Sequence, residues 1–342
     1  MQASVTVIAR TDASNTYFGD ISMKKTLLAG AALLVSGAAM AQSSVTMYGV
    51  VDFGLGKSSV NGLGLDNGKP GSPTASQSFH TPTRIGVRGT EDLGNGLKAN
   101  FNFESGGITG DDGSVAGTFW GREAWVGLSG NFGSTRLGRT SSFGTQGHAR
   151  YDFNGISQSS AMDNAGVSPV TWYGSSRRNS VLQYVTPNMG GLEAGVAYVF
   201  SADNVTAGVG KSSMQFRVNY ENGPMSVGYV AETKRTAANR TAQALAGSYD
   251  FGVAKVQAGY VVSESVARGK GWHTGVMAPF GAFYAGLQYA RNTAAKVNAT
   301  ELFGGYNLSK RTSIYADYVR RTNNGYGYTY SYAYGVGIMH KF

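Results

Sequence analysis

The chain contains no cysteine and only 7 prolines in 342 residues. The lack of cysteine excludes disulfides and thiolate metal sites. Charge is thin as well. Asp, Glu, Lys and Arg make up 14% of the residues, against about 25% in an average soluble domain. Outside one short apolar stretch near the start, no run reaches the roughly 18 apolar residues of a membrane-spanning helix. What is present is 50 Gly, 20 Tyr, 16 Phe and 4 Trp. Low charge, abundant Gly and Tyr and no apolar helix suit an all-β protein, and a transmembrane barrel in particular. The soluble alternative is a Gly-rich sandwich or solenoid.

The apolar stretch reads as an address. Met23, Lys24 and Lys25 make a basic start, residues 26–38 are rich in Ala and Leu, and Ala39-Met40-Ala41 is a small-x-small cleavage site. This is the pattern of a secretory signal peptide. The expected division is a start-site extension over residues 1–22, a signal peptide over 23–41 and a single barrel domain over 42–342. The formal net charge is +9, a balance that suits nucleic acid, an anionic membrane surface or anionic solutes. Export removes nucleic acid as a partner and favours anionic solutes.

After residue 42 the chain alternates. Ile85 and Val87 oppose Arg84, Gly86 and Arg88. Leu97, Ala99, Phe101 and Phe103 oppose Lys98, Asn100, Asn102 and Glu104. Met214, Phe216, Val218 and Tyr220 oppose Gln215, Arg217 and Asn219. Sixteen such segments can be counted, at about 44–56, 83–91, 97–105, 119–129, 134–139, 178–186, 191–200, 212–222, 225–234, 242–251, 253–263, 271–279, 281–291, 298–308, 312–322 and 331–342. Seven short connections, including the Asn95-Gly96 and Asn222-Gly223 turns, alternate with eight longer polar ones. Short turns at one end and long loops at the other are the asymmetry of a bacterial outer-membrane barrel. Sixteen strands enclose an interior too wide for side chains to fill. The polar face therefore lines water, and the apolar face meets lipid or a neighbouring subunit.

One stretch breaks the alternation. Residues 140–176 show no period, with Arg136 and Arg139 before them and Arg177 and Arg178 after them. A structureless run this long in a compact domain is usually functional. Its expected place is inside the barrel, narrowing the lumen.

Four motifs resemble the general bacterial porin family, the trimeric porins of β-proteobacteria in particular: SSVTMYGVVDFG (43–54), TRIGVRGTEDLGNGLKANFNFE (83–104), GREAWVGLSGNFGSTRLGR (121–139) and RRNSVLQYVTPNMGGLEAGVAY (177–198). The terminal YGVGIMHKF ends in Phe342, the position such barrels use as an assembly signal. The resemblance implies a 16-stranded antiparallel transmembrane β-barrel with an inward-folded third external loop. It also implies a homotrimer in the outer membrane, in contact with the lipid bilayer and lipopolysaccharide and delivered by the outer-membrane assembly machinery. The function it implies is passive diffusion of ions and small hydrophilic solutes, with no cofactor.

The same resemblance implies a ladder of basic wall residues facing the loop: Arg84 and Arg88, Arg122, Arg139, and one or both of Arg177 and Arg178. Lys98 joins the lumen below the narrowest point. The bland reading of each is a strand-end arginine bound to lipid phosphate or another loop. The loop itself contributes Asp152 and Asp163 against Arg150. With so few acids opposite the arginines, the expected preference is for small anionic or neutral solutes, by the charge logic of pores. Glu123 falls on the outward side if Trp125 faces lipid, which implies a subunit interface or a register shifted by one.

An outer-membrane protease or lipase would need a histidine set beside Asp or Ser. The four histidines, His80, His148, His273 and His340, carry no such motif. A role for the external loops as an adhesin or phage receptor stays open.

Overall fold

The computed structural model describes residues 43–59, 73–77, 80–115, 117–155, 160–162, 176–201, 211–266, 269–322 and 330–342. The expectations for residues 1–22 and 23–41, for Asp163 and for residues 156–159 and 163–175 of the loop lie outside the described residues.

The described residues form seventeen strands: β1 (Ser44–Ser58), β2 (Pro73–Gln77), β3 (Arg84–Gly94), β4 (Leu97–Gly106), β5 (Glu123–Gly130), β6 (Gly133–Ser141), β7 (Arg177–Val185), β8 (Leu192–Val199), β9 (Ser213–Asn222), β10 (Met225–Glu232), β11 (Ala242–Asp250), β12 (Lys255–Val262), β13 (Lys270–Phe280), β14 (Phe283–Asn292), β15 (Val297–Asn307), β16 (Thr312–Thr322) and β17 (Tyr330–Lys341). Sixteen of them form a closed antiparallel barrel. The extra strand, β2, comes from the first long loop and pairs with Gly54–Lys57 of β1. Alternation could not reveal it, because it is only five residues long.

Burial is inverted relative to a soluble protein. On β9, Phe216 and Val218 are 42% and 43% exposed, whereas Gln215 and Asn219 are 0% and 3% exposed. The largest fully buried side chains include Arg321, His273, Gln183, Gln215 and Gln288. Exposed Val, Leu, Phe and Tyr encircle the outside, from Val45 and Met47 on β1 to Ile338 on β17. Such a surface is stable only against hydrocarbon. A closed barrel leaves no edge unpaired in a solvent that cannot hydrogen-bond it.

Closure joins the two ends of the chain. The first half of β1 pairs with β3 and its second half with β17. Gly49 N–H donates to the Phe342 carbonyl at 3.1 Å, and Phe342 N–H donates back to Gly49 at 3.1 Å. A Cβ at Gly49 would clash with the Phe342 ring, so the glycine gives the terminal aromatic its seat. The hairpin turns are built as the sequence requires. Gly223, for example, has φ +56°, in the left-handed region that glycine tolerates.

The unpatterned stretch is not wholly irregular. It begins with a short helix, α1 (Phe143–His148), capped by Ser142 Oγ accepting from Thr145 N–H at 3.2 Å, and a single 3₁₀ turn follows at Ala149–Tyr151. Two irregularities mark its departure from the wall. Gly138 has φ +137° at a bulge between β6 and β7, and Ser180 opposite has φ +45°.

Candidate functional site

The described part of the loop lies against the polar inner face of the barrel. Phe143 is fully buried against Val181, Ala197 and Val199, and its N–H donates to Gln215 on β9 at 2.9 Å. The Tyr151 hydroxyl lies 3.0 Å from Ser226 Oγ on β10. Phe153 N–H donates to Gln288 on β14 at 3.1 Å. Asn154 Nδ2 and Ala161 N–H donate to the two oxygens of Glu301 on β15, each at 2.6 Å. The chain thus leaves the wall at β6 and is fastened in turn to β9, β10, β14 and β15.

Facing it, β3 to β6 carry a cluster of charge around a polar cavity of about 620 Å³. Arg84, Arg88, Arg122 and Arg136 line this cavity together with Glu104 and Glu123. Glu104 is the hub. Arg122 Nε is ion-paired to its Oε1, Arg84 Nε is 3.9 Å from its Oε2, and the Tyr48 hydroxyl donates to that oxygen at 2.8 Å. A Cβ at Gly86 would stand 2.5 Å from the Tyr48 ring, so only glycine leaves Tyr48 room to reach Glu104. Arg88 lies over Tyr48, 5.0 Å from the ring centre. Arg84 Nη1 also donates to Thr81 Oγ1 at 2.9 Å, which fixes its direction.

Glu123 and Trp125 are on this inner face as well. The outward reading of Glu123 is corrected by the register shift that was its alternative. The Glu123 carboxylate accepts from Ser141 N–H at 3.0 Å, Ser141 Oγ at 2.6 Å and Trp125 Nε1 at 2.9 Å. Arg136 lies 4.6 Å over the Trp125 ring. The lipid-facing residues of β5 are Val126 and Leu128, both exposed. Gly121 and Arg122 precede β5 outside any strand, so an alternation counted from residue 119 is out of phase when the strand begins.

The other expected site residues are distributed as follows. Arg177 pairs with Ser141 in the β6–β7 ladder, at the edge of the cluster. Arg139 donates to the Gly121 carbonyl at 2.7 Å and to the Asn179 side chain, so its guanidinium ties strand ends together. Arg178 is buried and outside the cluster. It makes a bidentate pair with Glu232, both contacts at 2.9 Å, and reaches Glu264 at 3.0 Å. Lys98 is exposed and two residues nearer the β3–β4 turn than Asn100. Arg150 is ion-paired with the exposed Glu221. Asp152 is buried, accepting from Gln288 Nε2 and Asn154 N–H at 2.9 Å each and from Ser160 Oγ. Its carboxylate is therefore engaged by Gln288 of the far wall. Arg136, Glu123, Tyr48 and Trp125 belong to the site and were missing from the expected set. The Trp125-to-Arg136 spacing across the β5–β6 turn was the one sequence signal for the pair. Arg217, on β9, braces the loop: it lies 5.1 Å over Phe143, donates to Gln146 at 2.9 Å and is ion-paired with Glu193.

Comparison with known proteins agrees with this architecture. A family described as Gram-negative porin matches residues 26–326. Outer membrane porin protein 32 of Delftia acidovorans is 38% identical over 318 residues, spanning 86% of this chain and 88% of that protein. An outer membrane porin protein of Bordetella pertussis is 30% identical, spanning 86% of this chain and 93% of its own length. Among solved structures, an anion-selective porin from Comamonas acidovorans superposes with a TM-score of 0.70 at 30% identity, covering 88% of this chain and all of that one.

Proposed function

The chain belongs to the Gram-negative porin family, an outer-membrane channel for passive diffusion, and from that premise we propose that its pore prefers small anions over cations. The observation that carries the proposal is the cluster itself. Arg84, Arg88, Arg122 and Arg136 outnumber Glu104 and Glu123 around one polar cavity, while Asp152, the acid of the described loop, is bonded to the far wall. A solute passing between loop and wall therefore meets net positive charge, which lowers the barrier for anions and raises it for cations. The solved relative described as anion-selective supports the same direction. The constriction is assigned to Arg84, Arg122 and Arg177, with Arg88, Arg136 and Lys98 as lower basic steps. Arg139, Arg150 and Arg178 act as braces. The test is a reversal potential across a planar bilayer in a salt gradient. Chloride preference is expected, and a clear cation preference would overturn the reading.

The working form is proposed to be a homotrimer of residues 42–342, inserted by the outer-membrane assembly machinery with Phe342 as its signal. The leader is proposed to be residues 23–41.

A further inference from the structure

Two arginines of the polar cavity are positioned by aromatic rings. Arg88 of β3 lies 5.0 Å from the centre of the Tyr48 ring, and Arg136 of β6 lies 4.6 Å from that of Trp125. Among the described residues, neither guanidinium makes a hydrogen bond or an ion pair. The neighbouring arginines are used differently. Arg122 is taken up by Glu104, Arg84 by Thr81 and Glu104, and Arg139 by Gly121 and Asn179. The two carboxylates that line the same cavity are engaged as well, Glu104 by Arg122, Arg84 and Tyr48, and Glu123 by Ser141 and Trp125. The donors of Arg88 and Arg136 are thus left for what enters the cavity.

A guanidinium is flat, with donors around its edge and two faces that stack on aromatic rings. In each pair one face is taken by a ring of the wall. Both arginines line the cavity, so the edge and the second face are what a solute meets. The wall ring also holds the direction of a long side chain, which reduces the entropy lost when a ligand is gripped. The cavity holds about 620 Å³, within the roughly 300–1,000 Å³ of small-molecule sites. Arg88 and Trp125 stand in one row of the sheet, on either side of Asn102 of β4. Two strand spacings separate them, about 10 Å. An aryl ring touched on both faces needs about 7–8 Å. A simple inorganic anion uses the charge and the edge alone, whereas a flat aromatic acid also uses the open face.

We propose that this part of the cavity binds small planar aromatic carboxylates, the carboxylate taking N–H donors of Arg88 or Arg136 and the ring stacking on the guanidinium face turned away from Tyr48 or Trp125. The site deepens the anion preference proposed above, on which it rests, by naming a solute class. Forked contact between guanidinium and carboxylate sets the direction of the solute. Stacking on the cation favours an aromatic ring over a saturated ring of the same charge by about fivefold. A lysine at either position would supply the charge but neither the fork nor the face.

The experiment is chloride current through the protein purified from outer membranes, in a planar bilayer near neutral pH, titrated with benzoate and separately with cyclohexanecarboxylate. Both are ionised and carry one charge on a six-membered ring, but only benzoate is flat. Benzoate is expected to halve the current at a concentration about fivefold below that of cyclohexanecarboxylate. Adsorption to lipid or to the apolar wall would not favour the flat ring. In the double variant Arg88→Lys, Arg136→Lys, which keeps both charges, the two half-blocking concentrations should converge. Each comparison is a ratio within one protein, so a changed chloride current in the variant cancels. Equal block by the two acids in the native pore would overturn the proposal, as would a fivefold ratio that survives in the double variant. The native arm needs no substitution and decides the matter even if the variant fails to fold. Reversal potentials from the same membranes separate the two readings. Chloride preference without discrimination between the two acids overturns the site and leaves the selectivity standing. Cation preference overturns the selectivity and the site with it.

Discussion

Removing the Arg122 guanidinium would leave Glu104 with Tyr48 at 2.8 Å and Arg84 at 3.9 Å. The field along the solute path would fall by one positive charge. For an ion passing about 6 Å away in water, that is worth about 0.7 kcal/mol, added to the anion's barrier and taken from the cation's, or about tenfold in relative permeability. Arg122→Ala should therefore cut the chloride-to-potassium ratio about tenfold while leaving the folded barrel intact, as read by reversal potential. Glu104→Gln should shift the ratio the other way by a similar factor. At this scale the sequence was informative about sign but not about partners. Alternation placed Arg84 and Arg88 inward, and motif likeness placed Arg122. Whether an arginine faces solute or is consumed in a brace depends on residues far along the chain. Arg178 meets Glu232 and Glu264, a distance in sequence that no local pattern encodes.

Among the elements, the loop base depends most on buried ionic contacts. Arg178→Ala would leave Glu232, 2% exposed, without its bidentate partner. Breaking a buried pair costs about 3–5 kcal/mol, so the variant should unfold at clearly lower temperature in a heat-modifiability assay of the detergent-solubilised protein. The bulge at Gly138 makes a different prediction. Its φ of +137° is closed to residues with a Cβ, at a cost of about 1–3 kcal/mol, and a Cβ there would also clash with the Ala124 carbonyl. Gly138→Val should loosen the β5–β6–β7 junction and be detected as faster proteolysis near residue 139. The sixteen wall strands were all legible, because a side-chain period of two survives any uncertainty in their ends. Two elements, and the phase of one strand, were not. β2 is too short to show a period. α1 spans under two turns and so offers no apolar stripe. The phase of β5 is reset by the irregular residues at Gly121 and Arg122, which sent Glu123 and Trp125 to the wrong face on paper.

For the whole molecule, inside-out burial makes stability a property of chain and solvent together. The outward band of exposed Val, Leu and Phe predicts that the unfolded chain, diluted from urea without detergent or lipid, aggregates. Added to bilayers or micelles it should recover the compact heat-modifiable band. Deleting Phe342 removes both backbone bonds to Gly49 and the ring seated above it, so the yield of that band should fall several-fold while any protein that does close conducts normally. Normal yield without Phe342 would remove its role in assembly.

The seam between β1 and β17 also sets the order of events in time. The ladder from Val50–Lys341 to Ser58–Ala333 joins residues separated by nearly the entire chain, and closing so long a loop is entropically slow. Until the last residues arrive, β1 and every growing hairpin must travel as an open ribbon. The time spent in that open state, more than the final stability, is what an exported chain of this design has to survive.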